Sequence, residues 1–157
     1  MELKRVVVTG LGALTPIGNN IKEYWEGLVA GKSGAAPITY YDTEKFKTKF
    51  ACEIKNFDIN DYFDRKEVRR LDKFTQYALV ASDEAIADAG FDLDNLDKSR
   101  VGVIWGAGIG GLETFQNEVM AYAKGDGTPR FNPFFYPKND CRYCARKYFH
   151  KARFHGT

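Results

Sequence analysis

The sequence predicts a layered α/β fold, on three observations. Two short apolar runs, residues 5–9 (RVVVT) and 100–105 (RVGVIW), read as strands buried on both faces of a sheet, because neither alternates polar with apolar side chains. Each run leads through a glycine-rich loop into a segment of helical period. The resulting order, β-α-(β)-α-β-α, is that of helices layered on a sheet.

The first run should form a central strand. The loop GLGALTPIGNN follows, and Asn19 or Asn20 can cap a helix that reaches Ala30 and is closed by Gly31. Residues 49–54 (KFACEI) alternate enough for a short strand, ahead of the irregular aromatic and acidic stretch NFDINDYFD. From Asp64 one long helix is expected up to Gly90, carried by Leu71, Phe74, Ala78, Ala81, Ala85 and Ala89 at three- and four-residue steps. The second strand, 100–105, passes through GAGIGG into a helix from Leu112 to about Lys124, stopped by GDGTP.

Composition excludes several classes. With 157 residues, 44% apolar and 28% charged, the chain is neither fibrous nor of disordered composition. A net charge of +2 implies by itself neither nucleic acid nor an anionic membrane as partner. No apolar run approaches the roughly 18 residues that span a bilayer, and MELKRVVVTG carries no export signal. Three cysteines, Cys52, Cys141 and Cys144, make an odd count without a disulfide framework, which points to a cytoplasmic location.

Two motifs carry competing readings. The loop from Gly106 to Gly111 satisfies G-x-G-x-x-G between a strand and a helix, where backbone amides can cradle a pyrophosphate. The acidic residue that should follow about 20 residues on, at the end of a second strand, is missing: Asp126 sits inside the turn GDG. Gly10-Leu11-Gly12 reads as a tight structural turn. Lys66, Arg69 and Arg70, beside Arg65, share one helix face at three- and four-residue spacing. They suit either a solvated surface or the docking of an acidic partner.

In order and spacing, RVVVTGLGALTPIGNN, WEGLVAGKSG, YDTEKFKTKFA, DRKEVRRLDKFTQYAL, RVGVIWGAGIGGLETF and GDGTPRFNPFFYPK resemble the β-ketoacyl-[acyl-carrier-protein] synthases, most closely type II, over residues 4–138. The resemblance implies the N-terminal part of a thiolase-like layered α-β-α fold, incomplete here. It also implies decarboxylative condensation of malonyl-carrier protein with acyl-carrier protein, in a homodimer that needs no cofactor. Such chemistry uses a cysteine nucleophile and two histidines, and none of the three has a counterpart in this chain. No catalytic residue is therefore assigned. Binding residues carry over: Ile109, and Phe134 or Phe135, fall on acyl-pocket positions. Lys66, Arg69 and Arg70 fall on the patch that receives acyl carrier protein, with Arg130 near the same mouth.

The stretch 139–157 (NDCRYCARKYFHKARFHGT) is basic, aromatic and without period. Cys141, Cys144, His150 and His155 have the spacing C-x2-C-x5-H-x4-H of a small zinc site. A shifted frame is the preferred reading. Permitted codons for residues 138–157, less one adenine, translate as KMIADIAPGNISIKHGFMGP, which resembles the family's continuation, so the stretch is expected to be an out-of-frame, disordered tail with no metal. The sequence thus predicts an N-terminal fragment, residues 1–138, inactive as a condensing enzyme. The alternatives are a non-catalytic carrier-protein-binding module and a nucleotide-binding protein using GAGIGG.

Overall fold

The computed structural model describes residues 3–133 together with Phe135 and Ala145. Among these residues lie α1 (Ile21–Val29), β1 (Ala36–Pro37), β2 (Phe50–Ala51), α2 (Arg65–Val68), α3 (Lys73–Ala89) and α4 (Leu112–Lys124), with 3-10 turns at Ile59–Asp61 and Lys98–Arg100. The chain divides into two compact units, Met1–Asp58 with Val80–Gly90, and Ile59–Leu79 with Phe91–Thr157.

In the first unit the loop after residue 9 lies directly on the C-terminal part of α3. A Cβ on Gly10 would collide with the Ala85 carbonyl oxygen and stand 2.6 Å from the Ala89 nitrogen. One on Gly12 would collide with the Ala81 carbonyl oxygen and stand 2.8 Å from the Ala85 nitrogen. The alanines expected to mark a helix face thus serve as a bed for glycine backbone. Carboxylates of α3 then satisfy amides that this approach removes from other backbone partners. Asp88 Oδ2 accepts from Leu11 N at 2.8 Å, Glu84 Oε2 from Ala13 N at 2.8 Å, and Glu84 Oε1 from Ile21 N at 2.7 Å.

Asn20 caps α1 by accepting from Glu23 N at 2.8 Å, while Glu23 Oε2 accepts from Asn19 N at 2.8 Å, so cap and first turn hold each other. Ala30 is the C-cap, followed by Gly31 at φ 65°. The strand expected over residues 49–54 shrinks to Phe50–Ala51, paired antiparallel with Ala36 opposite Ala51 and Pro37 opposite Phe50. Pro37 has no N–H to lengthen the ladder.

In the second unit the single helix expected from Asp64 is two helices. Asp64 does cap the first, accepting from Glu67 N at 2.8 Å. The helix stops after Val68, and Asp72 starts the next: its carbonyl accepts from Gln76 N at 3.0 Å, and Gln76 Nε2 turns back to the Leu71 carbonyl at 3.1 Å. The periodic row of apolar residues survives the break because Leu71, Ala78 and Leu79 are all buried, as is Phe63. Hydrophobic period reports the buried face and does not detect a cap in the middle of the run.

The two expected central strands need correction. Neither residues 5–9 nor residues 100–105 form a ladder among the described residues, and Val6 and Ile104 are 91% and 99% exposed. A run apolar on both faces needs a neighbour strand on each side and a layer over each face. The ladder found among the described residues is two residues long and lies elsewhere.

Candidate functional site

The described residues among those singled out for binding lie in the second unit. Lys66 stands on α2, and Arg69 and Arg70 follow in the turn that ends it. All three are exposed, and the Asp64 carboxylate is engaged with the Glu67 amide at the helix N-terminus. Among the described residues Lys66 and Arg69 enter no ion pair. The buried Leu71 fixes the chain directly after the three cations, so their backbone is anchored while their side chains reach solvent.

The glycine loop has a packing explanation. A Cβ on Gly110 would stand 2.7 Å from Cζ of Phe74, so the ring occupies the side-chain position. Gly111, the buried N-cap of α4, has φ 69°, which a residue with a Cβ adopts only with strain. Two ties fasten this corner to the start of α3. Thr114 Oγ1 donates a short hydrogen bond to Asp72 Oδ2, and Lys73 Nζ meets Glu113 Oε2 at 2.8 Å. The Thr114 bond reaches a nearly buried carboxylate and outweighs the Lys73 pair, whose side chains are 42% and 58% exposed. Ile109 rides on this fixed loop with 75% of its surface exposed, an apolar side chain presented to solvent.

Phe135 sits inside an aromatic row that runs from Phe115 to Tyr122. Its ring stacks on Phe115 of α4 at 6.0 Å and 28°, and meets Phe131 at 6.0 Å; Phe131 in turn meets Tyr122 at 5.6 Å. The segment bearing Phe131 and Phe135 is held on α4 because Asn132 N donates to Glu118 Oε2 at 3.0 Å. Phe115, Glu118 and Tyr122 share one face of α4 at steps of three and four, so the helix sets the spacing of the two rings it contributes to the row. This row was missed in the sequence, although the spacing of Phe115 and Tyr122 was its readable signal. Phe134 lies outside the described residues, as do Cys141, Cys144, His150 and His155.

Arg130 is placed differently from the other cations. Its Nη2 lies 3.2 Å from Asp126 Oδ2, at the rim of an open cleft of about 420 Å³ lined also by Glu118, Tyr122, Lys124 and Phe131. The Thr128 backbone amide, then the Thr128 side chain, hold the Asp126 carboxyl below the usual carboxylate range. The positive charge of Arg130 therefore faces a local anion, whereas those of Lys66 and Arg69 do not. Among the described residues no group of three or more His, Cys, Asp or Glu is placed to hold a metal ion, and no helix is long and apolar enough to cross a membrane.

Comparison with known proteins fixes the lineage of this arrangement. Residues 3–150 match the family described as β-ketoacyl synthase, N-terminal domain. The chain belongs to this family. Among β-ketoacyl synthases, the 3-oxoacyl-[acyl-carrier-protein] synthase 2 of Staphylococcus aureus (strain N315) is 48% identical over 136 residues, which cover 85% of this chain and 32% of that protein. The chain thus spans about a third of the curated relative's length. A β-ketoacyl synthase from Burkholderia phymatum STM815 superposes with a TM-score of 0.77 at 25% identity, over 99% of this chain and 38% of that one. A type II polyketide synthase acyl-carrier protein in complex with its ketosynthase, bound to the hexaketide, gives a TM-score of 0.77 at 23% identity, over 96% of this chain and 41% of that one. These likenesses show the expected fold, the N-terminal part of a thiolase-like layered α-β-α architecture.

Proposed function

We propose that this chain is the N-terminal part of a 3-oxoacyl-[acyl-carrier-protein] synthase, whose whole form condenses malonyl-carrier protein with acyl-carrier protein in the cytoplasm as a homodimer. The observation that carries the reading is the 48% identity over 136 residues to a synthase of that activity. In such a reaction an acyl group held as a thioester is attacked by the carbanion left when a malonyl thioester loses carbon dioxide. The residues of this chain serve binding in it. Lys66, Arg69 and Arg70 receive the acidic carrier protein, and Ile109, Phe134 and Phe135 border the apolar space for the acyl chain. The exposure of the three cations supports the first role, as does the solved complex of a related ketosynthase with its carrier protein. Arg130 contributes less, because Asp126 already faces its guanidinium.

The chain by itself performs no condensation in this reading: none of its residues is assigned to the nucleophile or to the decarboxylation. Binding is the activity that remains to test. Titration of the full chain with acyl carrier protein should show an association that weakens as salt rises, since exposed charges are screened within about 10 Å at 0.1 M. Reversing Lys66, Arg69 and Arg70 to glutamate should abolish it, and binding that is indifferent to both salt and reversal defeats the assignment. Residues 139–157 are, in the same reading, translated out of frame. The coding DNA decides this, because its codons must spell MIADIAPG when one adenine is skipped, and synonymous codons that spoil that phrase overturn it.

A further inference from the structure

We propose that Asp72 and Thr114 are positioning residues for carrier-protein binding: their hydrogen bond ties the turn that carries Arg69 and Arg70 to the glycine corner beside Ile109. The docking cations and the acyl-pocket loop are thereby held in one frame. The inference rests on the carrier-docking reading and goes beyond it, because it names two residues that touch neither carrier protein nor acyl chain.

Three consecutive residues make the tie. Asp72, Lys73 and Phe74 follow directly on Arg70 and Leu71, and each meets the segment 110–114. Asp72 Oδ2 accepts from Thr114 Oγ1, Lys73 Nζ lies 2.8 Å from Glu113 Oε2, and the Phe74 ring fills the place that a Cβ on Gly110 would take. Short backbone bonds join this tie to the cations. Arg69 N donates to the Arg65 carbonyl at 3.3 Å, Arg70 N to the Glu67 carbonyl at 2.9 Å and Leu71 N to the Val68 carbonyl at 3.1 Å, while the Asp72 carbonyl accepts from Gln76 N at 3.0 Å. Leu71 is buried as well, so a shift at Asp72 is passed on to Arg69 and Arg70. On the other side of the tie, the Gly111 carbonyl accepts from Phe115 N at 2.9 Å, and Gly110 follows directly on Ile109.

Of the three contacts, the Thr114 bond governs the position of the turn. Asp72 is 9% exposed, and a nearly buried carboxylate that loses a donor must regain water or another partner. Without the Thr114 hydroxyl, the smallest rearrangement that restores water to Asp72 moves the turn outward, and Arg69 and Arg70 move with it. The Lys73 pair is too exposed to resist this, and the Phe74 contact is apolar and sets only a distance of approach. A turn already held in its binding geometry loses less freedom when a partner docks. By linkage, a carrier protein that prefers the tied turn must stabilise the Thr114 corner by the same factor.

The full chain and its Thr114→Val and Thr114→Ser variants are titrated with acyl carrier protein, and hydrogen exchange of the Phe115 amide is followed with and without the carrier. Thr114→Val should weaken binding about five- to tenfold at unchanged helix content, and Thr114→Ser, which keeps the hydroxyl, should bind within about twofold of the unaltered chain. In the unaltered chain, saturating carrier should slow Phe115 exchange by about the same five- to tenfold, and this measurement decides even where Thr114→Val fails to fold. A residue that only supports the start of a helix gives no carrier-dependent change at Phe115. The proposal is overturned by a folded Thr114→Val chain that binds as tightly as the unaltered one, by a Thr114→Ser chain that binds as weakly as Thr114→Val, or by Phe115 exchange indifferent to the carrier. Each of these leaves carrier binding by Lys66, Arg69 and Arg70 standing, whereas an unaltered chain that binds no carrier overturns both readings.

Discussion

Glu84 offers the sharpest test of how the first unit is held. One carboxylate accepts from Ala13 N at 2.8 Å through Oε2 and from Ile21 N at 2.7 Å through Oε1, bracing both ends of the loop that precedes α1. Hydrogen bonds to a charged group contribute about 1.5–3 kcal/mol each. The site is only part-buried, so water replaces some of what is lost, and Glu84→Ala should destabilise the loop by about 2–3 kcal/mol rather than the full sum. Glu84→Gln keeps one oxygen acceptor and should lose roughly half as much. Hydrogen exchange of the full chain reads the effect residue by residue. A loss of about 2–3 kcal/mol in local opening appears as roughly 30- to 150-fold faster exchange at Ala13 and Ile21, against a smaller change at Glu23 N, which Asn20 caps independently. Unchanged exchange at Ala13 and Ile21 in Glu84→Ala would refute the bracing role, and so would an equal acceleration at all three amides, which would signal general unfolding.

Three further outcomes are expected. Gly12→Ala drives a methyl group into the Ala81 carbonyl, a backbone atom that cannot rotate aside, and should cost about 3 kcal/mol, read as a lower thermal midpoint by circular dichroism. A double-mutant cycle on Asp72→Ala and Thr114→Val should give a coupling of about 1–2 kcal/mol, whereas a cycle on Lys73→Ala and Glu113→Ala should give less than about 0.5 kcal/mol; equal couplings would contradict the ranking drawn from burial. The turn at Asp126 should loosen in acid: its folded pKa lies below the ordinary carboxylate value of 3.8, so its contribution is present above that value and is lost as pH falls through the lowered one, and the Thr128 amide resonance followed by NMR should move over that window.

Local signals were the legible part of the fold. A cap at Asn19 or Asn20, of which the structure uses Asn20, Gly31 and Gly90 as terminators, and the limits of α4 from Leu112 to about Lys124 all depend on chemistry within one turn of the residue concerned, and the structure reproduces them. The break between α2 and α3 was not legible, because Asp72 lies inside an unbroken apolar period and the partner of its carboxylate, Thr114, is far along the chain. The strands failed for a related reason. Apolar pattern states what residues 5–9 and 100–105 require, and a ladder forms only where another segment answers. At the candidate site the cations of α2 were visible as a spacing, while the pairing of Arg130 with Asp126 and the aromatic row through Phe115, Phe131 and Phe135 came from the fold around the turn at Gly125.

The seating of Gly10 and Gly12 on Ala81, Ala85 and Ala89 makes tolerance to change one-sided. When two ordinary side chains meet, growth on one side can be answered by shrinkage on the other. Here the loop already presents glycine, which has nothing left to give up. Any enlargement along the alanine row must be absorbed by displacement of the main chain, and that displacement pulls Leu11, Ala13 and Ile21 away from the carboxylates that hold them.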